Sequence, residues 1–156
     1  MKAAGVTELK KELATLTPKQ LAEVCLRLAK YKKENKELLS YLLFEADDEE
    51  NYIAQVKEEI DGMFAEINKS HIYFAKKSLR KILRFANKSI KYSGEKQTEV
   101  ELLLHFCRKM KTSGIAYQRD ASMMNLYTRQ VQKIEKALGK LHEDVQLDYQ
   151  DILRQL

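Results

Sequence analysis

The 156-residue chain carries 28 Lys and Arg against 23 Asp and Glu, is 44% hydrophobic and 33% charged, and contains only five Gly and one Pro. That composition excludes disordered, fibrous and disulfide-framework classes, and so few breakers favour long helices over many strands and turns. Its longest apolar runs, near Leu42 to Phe44 and Leu102 to Leu104, fall far short of the roughly 20 residues a bilayer-spanning helix needs.

One domain spanning 1–156 with a single core is expected from the length. The opening MKAAGVTELKK lacks the apolar stretch and small-residue site of a signal peptide, so a soluble, cytoplasmic protein is expected. Cys25 and Cys107 form neither a paired metal knuckle nor a disulfide framework and are expected to be buried thiols.

From the N-terminus, Leu9, Leu13 and Leu16 follow a capping Thr and predict a short helix over Thr7 to Leu16. Thr17-Pro18 is a sharper start, since Thr supplies a cap oxygen and Pro surrenders an N–H that would be unpaired anyway. The helix it opens runs to about Lys33, with a break expected near Glu34 or Asn35 before Leu38 to Ala46. Asp47 or Asp48 caps the next helix, whose acidic first turn suits the positive end of the macrodipole. Ile53, Val56, Ile60, Met63 and Ile67 keep its apolar spacing, and Gly62 suggests a close helix crossing. Ser70 is expected to cap the following helix, which Gly94 ends in the left-handed conformation. Thr98 opens the stretch TEVELLLHFCRKMK, whose segment Val100 to Cys107 is the most apolar in the chain and so reads as buried. After the break at Thr112-Ser113-Gly114, Tyr117, Met124, Tyr127, Val131, Ile134 and Leu138 form a seam. A last helix from Leu141 buries Val145, Tyr149, Ile152 and Leu156. The fold class is all-α, a single compact multihelical bundle of seven or eight helices with the segments around 38–44 and 100–107 at its centre.

The stretch TPKQLAEVCLRLAKYKKENKELLSYLLFEADDEE, with its Leu-rich helix and ENKELLSYLLFE segment, is similar to the front of an uncharacterised family of small all-helical proteins from Bacteroidetes. The resemblance covers about a fifth of the chain. It implies a compact multihelical fold and brings no activity and no functional residues.

No motif nominates an enzyme. His71, His105 and His142 are scattered, HExxH and CxxC are absent, and the acids at 47–50 fit neither an EF-hand loop nor a di-iron pattern. Gly94 and Gly114 stand alone, so there is no phosphate loop, and no base accompanies a nucleophile in sequence. No catalytic, cofactor or metal residues are assigned, and no small-molecule substrate is evident. A catalytic site assembled from distant helices would leave no local signature; a pocket lined by Glu, His, Cys or Arg would mark one. Tyr52, Tyr117, Tyr127 and Tyr149 lie on or beside apolar seams and are expected to pack in the core or half-buried.

Charge is strongly segregated: residues 47–67 hold one base and eight acids, residues 68–92 eight bases and no acid. On a helical wheel of HIYFAKKSLRKILRFANKSIKY, Ile72, Ala75, Leu79, Ile82, Leu83, Ala86 and Ile90 share an arc of about 100°. Lys77, Arg80, Lys81, Arg84, Lys88 and Lys91 fill a similar arc nearly opposite. The acidic helix before it can reach only the shoulders of that arc, so its centre, Arg84 and Lys88, is expected to face solvent. These six cations are the candidate anion or partner-binding residues.

The function expected from these features is a non-enzymatic helical interaction protein, acting as scaffold or adaptor or by self-association, with a protein partner or second copy. Weak, sequence-independent nucleic-acid binding through the basic helix is the alternative. An apolar face committed to the core excludes a membrane-surface role for that helix.

Overall fold

In the computed structural model, which describes residues 1–156, eight α-helices and one 3₁₀ turn follow in order, with no strand. They are α1 (Val6–Thr15), α2 (Pro18–Tyr31), α3 (Lys33–Phe44), α4 (Glu49–Ala65), α5 (Ile72–Ser93), α6 (Lys96–Thr112), the 3₁₀ turn (Tyr117–Arg119), α7 (Ala121–Leu138) and α8 (Glu143–Arg154). The all-α class and the number of helices agree with expectation. Packing divides the chain into an N-terminal unit, Met1–Phe44, and a C-terminal unit, Glu45–Leu156.

Local chemistry explains most of the helix ends. The Gly5 N–H donates to the Glu8 carboxylate at 2.9 Å, so α1 starts at Val6, one residue before the expected Thr. Thr17 and Gln20 form a reciprocal box: the Thr17 N–H donates to Gln20 Oε1 at 2.9 Å, and the Gln20 N–H to Thr17 Oγ1 at 3.3 Å. The break before α3 falls at Lys32, with extended φ −142° and ψ 148°, two residues earlier than expected. Asn35 instead lies inside α3, where its side-chain amide donates to the Leu28 carbonyl at 2.8 Å and braces the turn. Asp48 caps α4, accepting from the Asn51 N–H at 3.2 Å. Ser70 does not cap α5: its hydroxyl and N–H are spent on Asn68 Oδ1, and His71 holds the N-cap position without a side-chain bond. Gly94 ends α5 at φ 73°, as its lack of a Cβ allows.

In the C-terminal unit α6 is the axis, with α4, α5 and α7 packed around it. Val100, Leu102, Leu103, Phe106, Cys107 and Met110 are all fully buried, as a helix apolar nearly all round requires. Against it α4 sets Val56, Ile60 and Phe64, and α5 sets Ala75, Leu79, Ile82 and Ala86. The Phe64 and Phe106 rings meet at a centroid distance of 5.6 Å. Thr98 does not open α6; it lies buried in the first turn with its hydroxyl on the Glu49 carboxylate. Gly62 is exposed, with nothing within 4 Å of where a Cβ would sit, so no helix crosses there.

The α7 seam buries Tyr127, Ile134 and Leu138 as expected but widens to one side, burying Met123, Gln130 and Ala137 while Met124 stays 39% exposed. Tyr117 lies in the 3₁₀ turn, so its phase does not carry into the helix. Of the expected α8 residues only Tyr149 is buried.

The segment 38–44 does not occupy a centre. Tyr41 is buried, but Leu38, Leu42, Leu43 and Phe44 are 37% to 77% exposed. Within its unit α3 packs on α2 alone, and two paired helices share a single seam, which leaves the rest of each surface in solvent. Neither α1 nor α2 contains a buried residue.

Candidate interaction surfaces

On α5 the six candidate cations lie along one face. Lys77, Arg80, Lys81, Arg84 and Lys91 are exposed, whereas Lys88 is half-buried with its ammonium 6.0 Å from the Tyr92 ring centroid. The free row is therefore centred on Arg84 without Lys88. Arg80 ties the row to α7, its guanidinium donating to the Ser122 hydroxyl at 3.1 Å. Lys77, Lys81, Arg84 and Lys91 have no carboxylate within ion-pair distance.

On α4, Asp61 and Lys57 are drawn to α6. Asp61 accepts from His105 at 2.6 Å and from Lys109 at 3.2 Å, and Lys57 of α4 pairs with Glu101 of α6. Lys57 and Asp61 are four apart, as are Glu101, His105 and Lys109, so each set stands on one helix face and the charges meet as rungs. Tyr149 donates its hydroxyl to Glu101 and ties α8 to the ladder. Burial works to raise the pKa of Glu101, but hydrogen bonds from Lys57 and Tyr149 outweigh it and hold the carboxyl below its ordinary value. Asp61 is lowered in the same way, desolvation being overcome by His105 and Lys109. Burial and the neighbouring Glu101 push the Tyr149 hydroxyl up to about 12. This network is fully engaged in joining helices.

A second, smaller tie links α5 to α7. Asp120 accepts from the Met123 N–H at 2.9 Å as the cap of α7, and pairs with Lys76 at 2.7 Å. Beyond it lies a cleft of about 380 Å³ between Arg80 and Leu83 of α5 and the α7 residues Ser122, Asn125, Arg129 and Gln130. Gln130 is 3% exposed; its amide N–H donates to the Leu126 carbonyl at 3.0 Å and its Oε1 has no partner. Arg129 is absent from the sequence expectation because the periodicity of α7 reports its apolar seam and says nothing of which neighbour its polar face meets.

At the other end of the basic row the first turn of α5 is an exposed aromatic cluster. Tyr73 is 68% and Phe74 49% exposed, their rings edge-on at 5.4 Å, with His71 packed on Phe74 at 5.9 Å. Tyr73, Lys77, Arg80 and Arg84 are spaced four, three and four apart, so Tyr73 heads the cationic row. Ile72, expected in the core, is half-exposed here because it begins the helix before α5 reaches its neighbours.

The N-terminal unit presents a different surface. Val6, Leu9 and Leu13 on α1, Val24, Leu26, Leu28 and Tyr31 on α2, and Leu38, Leu42, Leu43 and Phe44 on α3 are all exposed. Between α2 and α3 an apolar groove of about 270 Å³ is lined by Cys25, Leu28, Ala29, Leu38, Leu39 and Leu42, with Asn35. Cys25 is thus an exposed thiol, contrary to expectation, while Cys107 is buried and its thiol pushed up to about 12 by desolvation. Apolar count alone could not separate them, because α2 is as leucine-rich as α6.

Neither groove sets a nucleophile beside a base: Cys25 has no acid or His with it, and Ser122 faces arginines and amides. No group of three or more His, Cys, Asp and Glu is placed to hold a metal ion, and no helix is long and apolar enough to cross a membrane. No protein-family model, curated protein or solved structure matches the chain.

Proposed function

We propose that this chain is a non-enzymatic helical interaction protein that docks another protein chain through the apolar faces of its N-terminal unit. The observation that carries this is the eleven large apolar side chains left exposed on three consecutive amphipathic helices. Exposed apolar surface of that extent, rimmed by Lys and Glu, is the mark of a surface covered by another protein. The free thiols of Cys25 and Cys107 suit a reducing, cytoplasmic setting. The test compares the full chain with residues 45–156, which keep the α6-centred core, by sedimentation and by capture of proteins from lysate. The full chain is expected to associate, with itself or with a captured protein, and the shortened chain to lose that association while staying folded. A full chain that is strictly monomeric and captures nothing beyond what the shortened one does would overturn the reading.

A second reading is favoured by the placement of Tyr73 at the head of the unpaired cations on α5: sequence-independent binding of single-stranded nucleic acid. An exposed aromatic offers a base-stacking platform, and Lys77, Arg80, Lys81, Arg84 and Lys91 a rail for phosphates. Affinity for an oligonucleotide should then fall with salt at a log–log slope of about −0.7 per phosphate contacted. Charge reversal at Arg84 should weaken it and flatten that slope, and Tyr73→Ala should weaken it without changing the slope. Absence of binding at low salt ends this reading.

A further inference from the structure

The apolar groove of the N-terminal unit and its first helix answer each other. α1 has ten residues, fewer than the roughly 12 to 15 at which an isolated helix holds in water, and contains no buried residue. Its apolar side chains Val6, Leu9 and Leu13 are spaced three and four apart and are 83%, 50% and 42% exposed. They form one narrow stripe, which is what a helix presents to a groove between two others. The groove between α2 and α3 is apolar along its floor, through Leu28, Ala29, Leu38, Leu39 and Leu42. α1 does not fill it, because Leu16 and Thr17 are both extended, at ψ 147° and 158°, and the Thr17–Gln20 box fixes that exit.

We propose that α1 of one copy lies in the α2/α3 groove of a second copy and that the second copy returns the contact, giving a swapped two-fold dimer. This rests on the interaction reading above and names the partner. One stripe and one groove per chain let each copy both give and receive the contact, and a two-fold axis closes that exchange at two copies. The stripe and groove side chains Val6, Leu9, Leu13, Leu28, Leu38 and Leu42 expose on the order of 600 Å² per copy, so a reciprocal exchange covers about 1,200 Å² in all, the lower end of a specific interface. Such an exchange needs only the Leu16-Thr17 link to stay extended, and the association is then carried by the same residues that leave the single chain's α1 bare.

Cys25 provides a native reporter inside the groove. In full-length chain carrying Leu13→Cys, mild oxidation should join the new thiol to Cys25 of the other copy, doubling the 18.2 kDa mass on a non-reducing gel. The link should vanish with Cys25→Ser, and Lys11→Cys, on the opposite side of α1, should form it far more slowly. In sedimentation, Leu9→Glu/Leu13→Glu should turn the wild-type dimer into a monomer with unchanged helicity, since neither side chain supports any core. An intrachain disulfide between the introduced thiol and Cys25 would mean that α1 folds onto its own groove and would overturn the proposal. A dimer that survives the double Glu variant would overturn it too, while leaving the interaction reading standing. A wild-type monomer that captures a different protein through residues 1–44 has the same consequence; a monomer that captures none overturns both.

Discussion

The N-terminal unit has ten leucines in 44 residues and not one is buried; the C-terminal unit has eleven in 112 and buries five. Apolar content is thus highest where burial is least. The difference lies in the number of neighbours: α6 is enclosed by α4, α5 and α7, while α2 and α3 have each other and α1 has nothing substantial. A helix gains from an apolar face only when a second and third element complete the enclosure, at roughly 25 cal/mol per Å² removed from water. One unit is therefore finished by its own chain and the other presents its unfinished faces outward.

The largest test of this contrast is Leu102→Ala. Leu102 is fully buried on α6 between packed helices, so truncation removes its transfer energy and leaves a cavity that a close-packed interior fills poorly. A loss of about 3 to 5 kcal/mol is expected in denaturant unfolding of the C-terminal unit, with no change in the association assigned to residues 1–44.

Next in size is the α4/α6 ladder. Glu101→Ala leaves the Lys57 ammonium and the Tyr149 hydroxyl without their shared acceptor, which should cost about 1 to 3 kcal/mol. The ladder also sets a pH dependence. Asp61, Glu101 and Asp120 are held below their ordinary pKa in the fold, Asp120 by its bonds to Lys76 and Met123. The unfolded chain then binds more protons than the folded one as the pH falls below about 4, so stability present above that point is lost through the acid range. Glu101→Gln should flatten that acid limb in a plot of unfolding midpoint against pH. Tyr127 and Tyr149, raised to about 12 mainly by burial, act with the opposite sign: the fold keeps them neutral, and stability falls as pH climbs from about 10 to 12.

How far such features can be read from sequence depends on whether one element or several decide them. The caps at Thr17, Asp48 and Gly94 are local, and so are the opposed apolar and basic faces of α5; all were legible from spacing. The burial of Val100 to Cys107 was legible as well, because a helix apolar all round has nowhere else to be. The exposure of Leu42 and Leu43 was not, since it depends on how many helices reach α3. Nor was the ladder, in which Lys57, Asp61, Glu101, His105 and Lys109 find each other across more than forty residues. Of the candidate basic residues, position on one face was predictable from the wheel, as was Tyr73 at its head, but the withdrawal of Lys88 toward Tyr92 and the arrival of Arg129 beside the row depended on packing.

A smaller effect separates local from global stability. Thr17→Ala removes one half of the reciprocal cap on α2 and should cost about 1 kcal/mol of local stability. Amide exchange should quicken in the first turn of α2 and in α1, which leads into it, while the amides of α6 keep their protection. Exchange that quickened equally in both places would mean that the two units unfold as one.

The smallest expected change repeats the first substitution where no enclosure exists. Leu26 is 55% exposed on α2 and lies outside the groove between α2 and α3. Leu26→Ala deletes the same atoms as Leu102→Ala, but they leave water rather than a packed interior, so no cavity forms and little transfer energy is lost. Ala is also the strongest helix former, which offsets a few tenths of a kcal/mol. The net change should stay within about 0.5 kcal/mol, as for surface substitutions generally. If Leu26→Ala instead costs as much as a core truncation in dilute solution, where association is absent, the N-terminal unit encloses that side chain within a single chain, and the contrast between the two units fails at its clearest point.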